Sequence, residues 1–200
     1  MVVNDGPGFL VNRILMPYLG EALAMLEEGS GIDEIDQALL RFGMPMGAFI
    51  LLDEIGIDIA YKVSGILHQG LGARIKPSQL LADLYKEGYL GKKNGRGFYL
   101  YAGGKRGRQN PLVSAMAGKN KGARGPVTEQ EIVERAMLLM IKEAALCLED
   151  KIIDRVDHLD AALIFGIGFP PFRGGLMRYA EKLGAKYIVD RLEVYAAKYG

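Results

Sequence analysis

The sequence predicts an all-α fold: two tandem helical repeats that share one core, with a short β segment near residues 97–101. Three observations carry this reading. Arg13–Glu27 (RILMPYLGEALAMLE) matches Arg135–Glu149 (RAMLLMIKEAALCLE) at a constant offset of 122. The match continues through Ile35-Asp36 and Leu159-Asp160 to the turns Gly43-Met44-Pro45 and Gly168-Phe169-Pro170, the offset drifting to 124 and then 125. Apolar residues recur at helical spacing between Gly and Pro stops, whereas strand-like alternation is confined to Phe98-Tyr99-Leu100-Tyr101. Two copies are too few for a solenoid, so they predict a pseudo-symmetric pair.

Val2-Val3 reads as the tail of a strand or as a connector, and Asp5-Gly6-Pro7-Gly8 as a turn. Phe9–Glu28 is apolar on most sides, the mark of a buried helix, and Pro17 inside it predicts a kink. Ser30-Gly31-Ile32-Asp33 has the spacing of a capping box ahead of a helix that ends at Gly43 and Pro45. An apolar stretch from Phe49 to Leu67 follows, and Pro77 is placed to open a short helix through Lys86. Gly91–Tyr101 reads as a glycine loop entering the β segment. Residues 103–127 are expected to form a basic, Gly-rich linker. The second copy starts at the capping box Thr128–Glu131 and ends in a helix over Lys186–Tyr199, giving seven to nine helices in all.

Lys plus Arg exceeds Asp plus Glu by one, 25 against 24, so bulk charge implies neither a nucleic-acid nor a membrane partner. Cys147 is alone on an apolar helical stretch and is expected to be inert core. No apolar run reaches a membrane span and the start lacks the pattern of a signal peptide, which leads to an expected place in the cytoplasm or an organellar matrix. Gly-x-Gly-x-x-Gly and Walker loops are absent from the sequence. His68 and His158 lie far apart, without Cys or acidic neighbours at ligand spacing, which argues against a metal site and against a Ser-His-Asp triad.

Asn12 stands out because it sits among Phe9, Leu10, Val11, Ile14, Leu15 and Met16, and its partner position in the second copy is Glu134. One role for such an amide is structural, bonded to a neighbouring loop beside Pro17. The other is to point into a cleft and bind substrate or orient a catalytic group; chemistry alone leans to the first. From Gly91 to Val127 there are nine Lys or Arg and no acid, which fits a solvated linker better than an anion or RNA site. In Pro170-Pro171-Phe172-Arg173-Gly174-Gly175, Arg173 is placed to anchor a carboxylate or carbonyls.

Gly6–Arg13, Pro45–Phe49 with Leu51–Asp53, Gly95–Tyr99 and Gly168–Gly175 together resemble the C-terminal region of the L-3-hydroxyacyl-CoA dehydrogenases. More closely, the chain resembles the end of the multifunctional α-subunit of the fatty acid β-oxidation complex. The resemblance implies two C-terminal repeats of the 6-phosphogluconate dehydrogenase C-terminal-like type packed as a pseudo-dimer, over residues 1–102 and 128–200. It implies NAD-dependent oxidation of a 3-hydroxyacyl-CoA to a 3-ketoacyl-CoA, with Asn12 completing the active site. NAD would be bound by a Rossmann domain whose residues lie before Met1 in the family pattern. The implied partners are an acyl-CoA substrate, that Rossmann domain and a thiolase subunit. A stand-alone helical binding module using residues 91–127 is the alternative.

Overall fold

The computed structural model describes residues 2–119 and 127–199. The first repeat consists of α1 (Val11–Glu28), α2 (Ile32–Phe42), α3 (Ala48–Ile55), α4 (Ile57–Leu71) and α5 (Gln79–Lys86). An antiparallel hairpin, β1 (Tyr99–Ala102) and β2 (Lys105–Gln109), leads into α6 (Pro111–Lys119). The second repeat is α7 (Glu129–Glu149), α8 (Val156–Ile167), α9 (Leu176–Leu183) and α10 (Ala185–Tyr199). The fold is all-α apart from the hairpin, and α3 with α9 and α4 with α10 correspond at an offset of 128. Among the described residues no helix is long and apolar enough to cross a membrane.

The two repeats meet along α1 and α7, which run antiparallel, and their key contacts occur twice. Arg13 donates to Glu143 at 2.6 Å and to Asp150 at 2.5 Å. Its counterpart Arg135 donates to Glu21 at 2.5 Å and to Glu28 at 2.6 Å, the counterparts of Glu143 and Asp150. The Gly-x-Pro turns are also reciprocal: a β-carbon on Gly43 would lie 3.0 Å from Pro170 Cγ, and one on Gly168 would lie 2.7 Å from Pro45 Cγ. Contacts exchanged in this way define an isologous interface, here built inside one chain.

Within each repeat a buried aspartate caps the third helix. Asp36 accepts from the N–H groups of Phe49 (2.8 Å) and Ile50 (3.3 Å) at the start of α3. Asp160 accepts from Met177 (2.7 Å) and Arg178 (3.2 Å) at the start of α9. Both pairs satisfy donors that a helix start leaves open. The approach needs glycine, because a β-carbon on Gly47 would sit 2.2 Å from Asp36 Cγ and one on Gly175 2.3 Å from Asp160 Cγ. Asp53 holds the hairpin in the same manner, accepting from the N–H groups of Phe98 and Tyr99, each at 2.9 Å. Burial pushes the Asp36 and Asp53 carboxyls up to about 6 against the pull of these donors.

Several expectations are corrected. Val2–Gly6 is irregular chain, tied to the second repeat by Asn4, whose N–H reaches the Ile152 carbonyl at 2.9 Å. The cap of α2 is Gly31, whose N–H donates to Glu34 Oε2 at 2.8 Å, while Ser30 is buried and accepts from the Val127 N–H. The stretch from Phe49 to Leu67 is two helices broken at Gly56, and α5 is capped by Ser78 one residue after Pro77. Residues 105–119 of the expected linker form β2 and α6, and α6 places Val113 and Ala117 in the core. That apolar pair was hidden in a stretch dominated by Gly, Lys and Arg. With α6 included, ten α-helices are found among the described residues. Cys147 is fully buried, and burial pushes its thiol up to about 12.

Candidate functional site at the start of the first helix

The first repeat enters α1 through a turn at Pro7–Leu10 in which Gly8 has φ +73 and Phe9 has φ +51. Only glycine fits at Gly8: a β-carbon there would lie 2.6 Å from Leu67 Cδ2 and 3.1 Å from the Arg13 nitrogen. The N-cap, Leu10, makes no side-chain cap, and the first turn of α1 carries no acid. Its opening N–H groups therefore give a positive end without a built-in counter-charge. Asn12 lies in that first turn. Its side chain is exposed and has no hydrogen-bond partner among the described residues. The burial expected from its apolar neighbours is therefore corrected: Leu15, Met16 and Leu19, at helical spacing from Asn12, are buried, while Asn12 itself, in the first turn of α1, is exposed.

The second repeat treats the same place differently. Helix α7 begins four residues earlier relative to the repeat, with Thr128 as its cap accepting from the Glu131 N–H at 3.2 Å. Glu134, the counterpart of Asn12, is gripped by α10. Arg191 donates to it at 2.6 Å, and the Tyr187 and Tyr195 hydroxyls also donate to it. Partial burial pushes the Glu134 carboxyl up, and these donors outweigh that effect and hold it below the usual range. In the first repeat the helix corresponding to α10 is α4, and the positions of Tyr187, Arg191 and Tyr195 are taken by Ile59, Val63 and Leu67. The supporting polar set is therefore absent beside Asn12.

Arg173 and His68 make contacts within the fold. Arg173 donates twice to the Phe42 carbonyl, at 3.0 and 2.9 Å, and lies 3.8 Å over the Phe42 ring, closing the end of α2. His68 bonds the Ile75 carbonyl at 2.8 Å, and His158 lies half-buried in the first turn of α8, far from it in the chain. The basic stretch is partly engaged: Lys92 pairs with Glu54, Lys93 with Asp58, and Arg96 and Arg106 lie over Tyr89 and Tyr99. Lys121 and Arg124 lie outside the described residues. Two clefts, one of about 530 Å³ facing Glu134 and Tyr187 and one of about 910 Å³ between α8 and α9, were not foreseen, and neither includes Asn12. Asn12 thus stands on an exposed face of the first repeat.

Residues 8–101, the first repeat from the Asn12 turn to the hairpin, match the family model described as 3-hydroxyacyl-CoA dehydrogenase, C-terminal domain. The first repeat belongs to that family. The whole chain is 43% identical, over 201 residues, to the fatty acid oxidation complex subunit alpha of Shewanella halifaxensis. It spans 28% of that relative's length. Among solved structures, 3-hydroxybutyryl-CoA dehydrogenase from Escherichia coli superposes with a TM-score of 0.78 at 22% identity, over 99% of this chain and 57% of that one. The dehydrogenase part of multifunctional enzyme 1 from C. elegans superposes at 0.66 and 22% identity, over 86% of this chain and 40% of that one. At that identity the two structures establish the shared fold.

Proposed function

We propose that this chain is the helical C-terminal part of an L-3-hydroxyacyl-CoA dehydrogenase inside a multifunctional fatty acid β-oxidation polypeptide. Its first repeat, residues 1–102, carries the working face, and its second, residues 128–200, is the supporting half. The observation that carries the reading is the asymmetry at one repeated position. Asn12 is exposed, without a partner, on the positive end of α1, whereas Glu134 is locked by three donors from α10.

NAD is the cofactor this family reading calls for, and the described residues do not fit it. The only sheet among them is a two-stranded antiparallel hairpin, and no strand runs through a glycine turn into a helix start. The dinucleotide and its chemistry therefore belong to a Rossmann domain elsewhere in the polypeptide. This chain's own share is positioning. The Asn12 amide is free to donate to an oxygen at the reacting end of an acyl-CoA and to accept from a group that orients it, and the α1 N-terminus favours an oxygen that gains negative charge. The α-subunit name of the relative motivates the further proposal of a thiolase partner, testable by co-purification.

The test is Asn12→Ala in the complete polypeptide, assayed with a 3-ketoacyl-CoA and NADH. Loss of a positioned donor predicts a fall in kcat of about a hundredfold, with an unchanged melting temperature because the side chain is exposed. Glu134→Gln should leave kcat alone and lower the melting temperature. Normal turnover by Asn12→Ala would overturn the assignment.

A further inference from the structure

The cleft of about 530 Å³ beside Glu134 has a counterpart beside Asn12, and the counterpart has changed its chemistry. Six polar residues line the cleft: Arg41, Glu129, Gln130, Glu134, Tyr179 and Tyr187. At the repeat offsets they become Phe165, Pro7, Gly8, Asn12, Leu51 and Ile59. The apolar lining stays apolar, with Val133 and Leu183 becoming Val11 and Ile55. Asn12 is therefore the single polar side chain of the equivalent set.

Both repeats contribute to this set. Val11, Leu51, Ile55 and Ile59 belong to the first, whereas Phe165 comes from the end of α8 in the second. That end of α8 reaches the first turn of α1, because a β-carbon on Gly166 would lie 3.2 Å from Val11 Cγ2. The mirror contact is made by Arg41, which donates at 2.7 Å to Glu129 at the start of α7. With Pro7 in the place of Glu129 that ion pair has no equivalent, and Phe165 is left 89% exposed, with Ile59 45% exposed. The Phe165 ring also borders the groove between α8 and α9, so it forms the ridge between that groove and the Asn12 face. Large apolar groups held in water around one polar group are the mark of a surface that takes a ligand.

We propose that Phe165 is a specificity-determining residue for chain length: the aliphatic tail of the acyl-CoA runs from its reacting end at Asn12 across Val11 and Gly166 to the Phe165 ring. The inference rests on the dehydrogenase reading and gives the second repeat a share in it, as one wall of the acyl site. The tail is the part of an acyl-CoA that suits this face, because moving it from water onto apolar side chains is favourable in proportion to the area covered. The amides and phosphates of the CoA part would find no charged partner in the set and only Asn12 to bond. A short acyl chain ends before Phe165, and a long one covers it.

The test compares acetoacetyl-CoA with 3-ketohexadecanoyl-CoA as substrates of the complete polypeptide, with NADH, in wild type, Phe165→Ala and Phe165→Leu. Loss of the ring should lower kcat/KM for the long substrate about tenfold, the value of one apolar side chain covered by a ligand. Acetoacetyl-CoA should be turned over as by wild type, and the melting temperature should not move because the ring is exposed. Phe165→Leu, which keeps an apolar side chain, should restore most of the long-chain activity. An unchanged ratio between the two substrates in Phe165→Ala would overturn the proposal. So would an equal loss on both, the result expected if a neighbouring domain and not the tail covers the ring. Asn12→Ala acts on both chain lengths alike, so the two readings fail separately. Normal turnover by Asn12→Ala sinks the dehydrogenase reading, whereas an impaired Asn12→Ala beside an indifferent Phe165→Ala sinks only this inference.

Discussion

Arg135→Met tests whether the seam between the repeats is a buried electrostatic joint. The Arg135 side chain is 1% exposed, bonds Glu21 and Glu28, and lies 3.7 Å over the Tyr199 ring. Methionine keeps most of the volume and removes the charge, leaving Glu21 behind. Burial already pushes the Glu21 carboxyl up against the pull of Arg135. Stranding a buried charge in this way costs about 3–5 kcal/mol. For a chain of this length that is a fall of roughly 6–20 °C in melting temperature. The assay is urea unfolding at pH 7 and pH 5. In the variant, Glu21 has a folded pKa further above its unfolded value, so its penalty is greatest at high pH and fades as the pH falls. The gap to wild type should therefore narrow between pH 7 and pH 5, and adding Glu21→Gln should restore part of the loss at pH 7. A loss under about 1 kcal/mol with no narrowing would place the seam in the range of exposed ion pairs and refute the reasoning.

Arg13→Met should also destabilise strongly, with a smaller share from Asp150, which Arg74 continues to hold at 2.9 Å; parallel melting curves check this. Gly97→Ala would put a β-carbon 1.9 Å from Asp53 Oδ1, so it should cost about 1–3 kcal/mol by forcing the hairpin off its anchor. Hydrogen exchange at Phe98 and Tyr99 should rise with it. Cys147 should resist a thiol reagent at pH 8 until the protein unfolds, because burial keeps its thiol protonated and out of reach; fast labelling of the native chain would contradict this.

The sequence by itself determined the fold class and the duplication. Helical periodicity is local, and the repeat at offset 122 is visible without coordinates because each copy must bury a similar apolar face. The inert place of Cys147, the β segment and the anchoring role of Arg173 were legible for the same reason. Local pattern failed where a residue's environment came from elsewhere in the chain. Asn12 reads as buried among apolar neighbours, yet it stands in the exposed first turn of α1 while Leu15, Met16 and Leu19 on the same face are buried. The cap of α2 shifted by one residue because Ser30 is drawn to the start of the second repeat. Helix α6 was missed because its short apolar run, Leu112–Ala117, is flanked on both sides by chain rich in Gly, Lys and Arg. Only the tertiary structure paired Arg13 with Glu143 and Arg135 with Glu21 across more than a hundred residues of chain. Only it locked Glu134, left Asn12 free and set the hairpin on Asp53. The physical reason is that periodicity records which side of a helix is apolar, whereas the partner of a charge or an amide is fixed by which helices pack together.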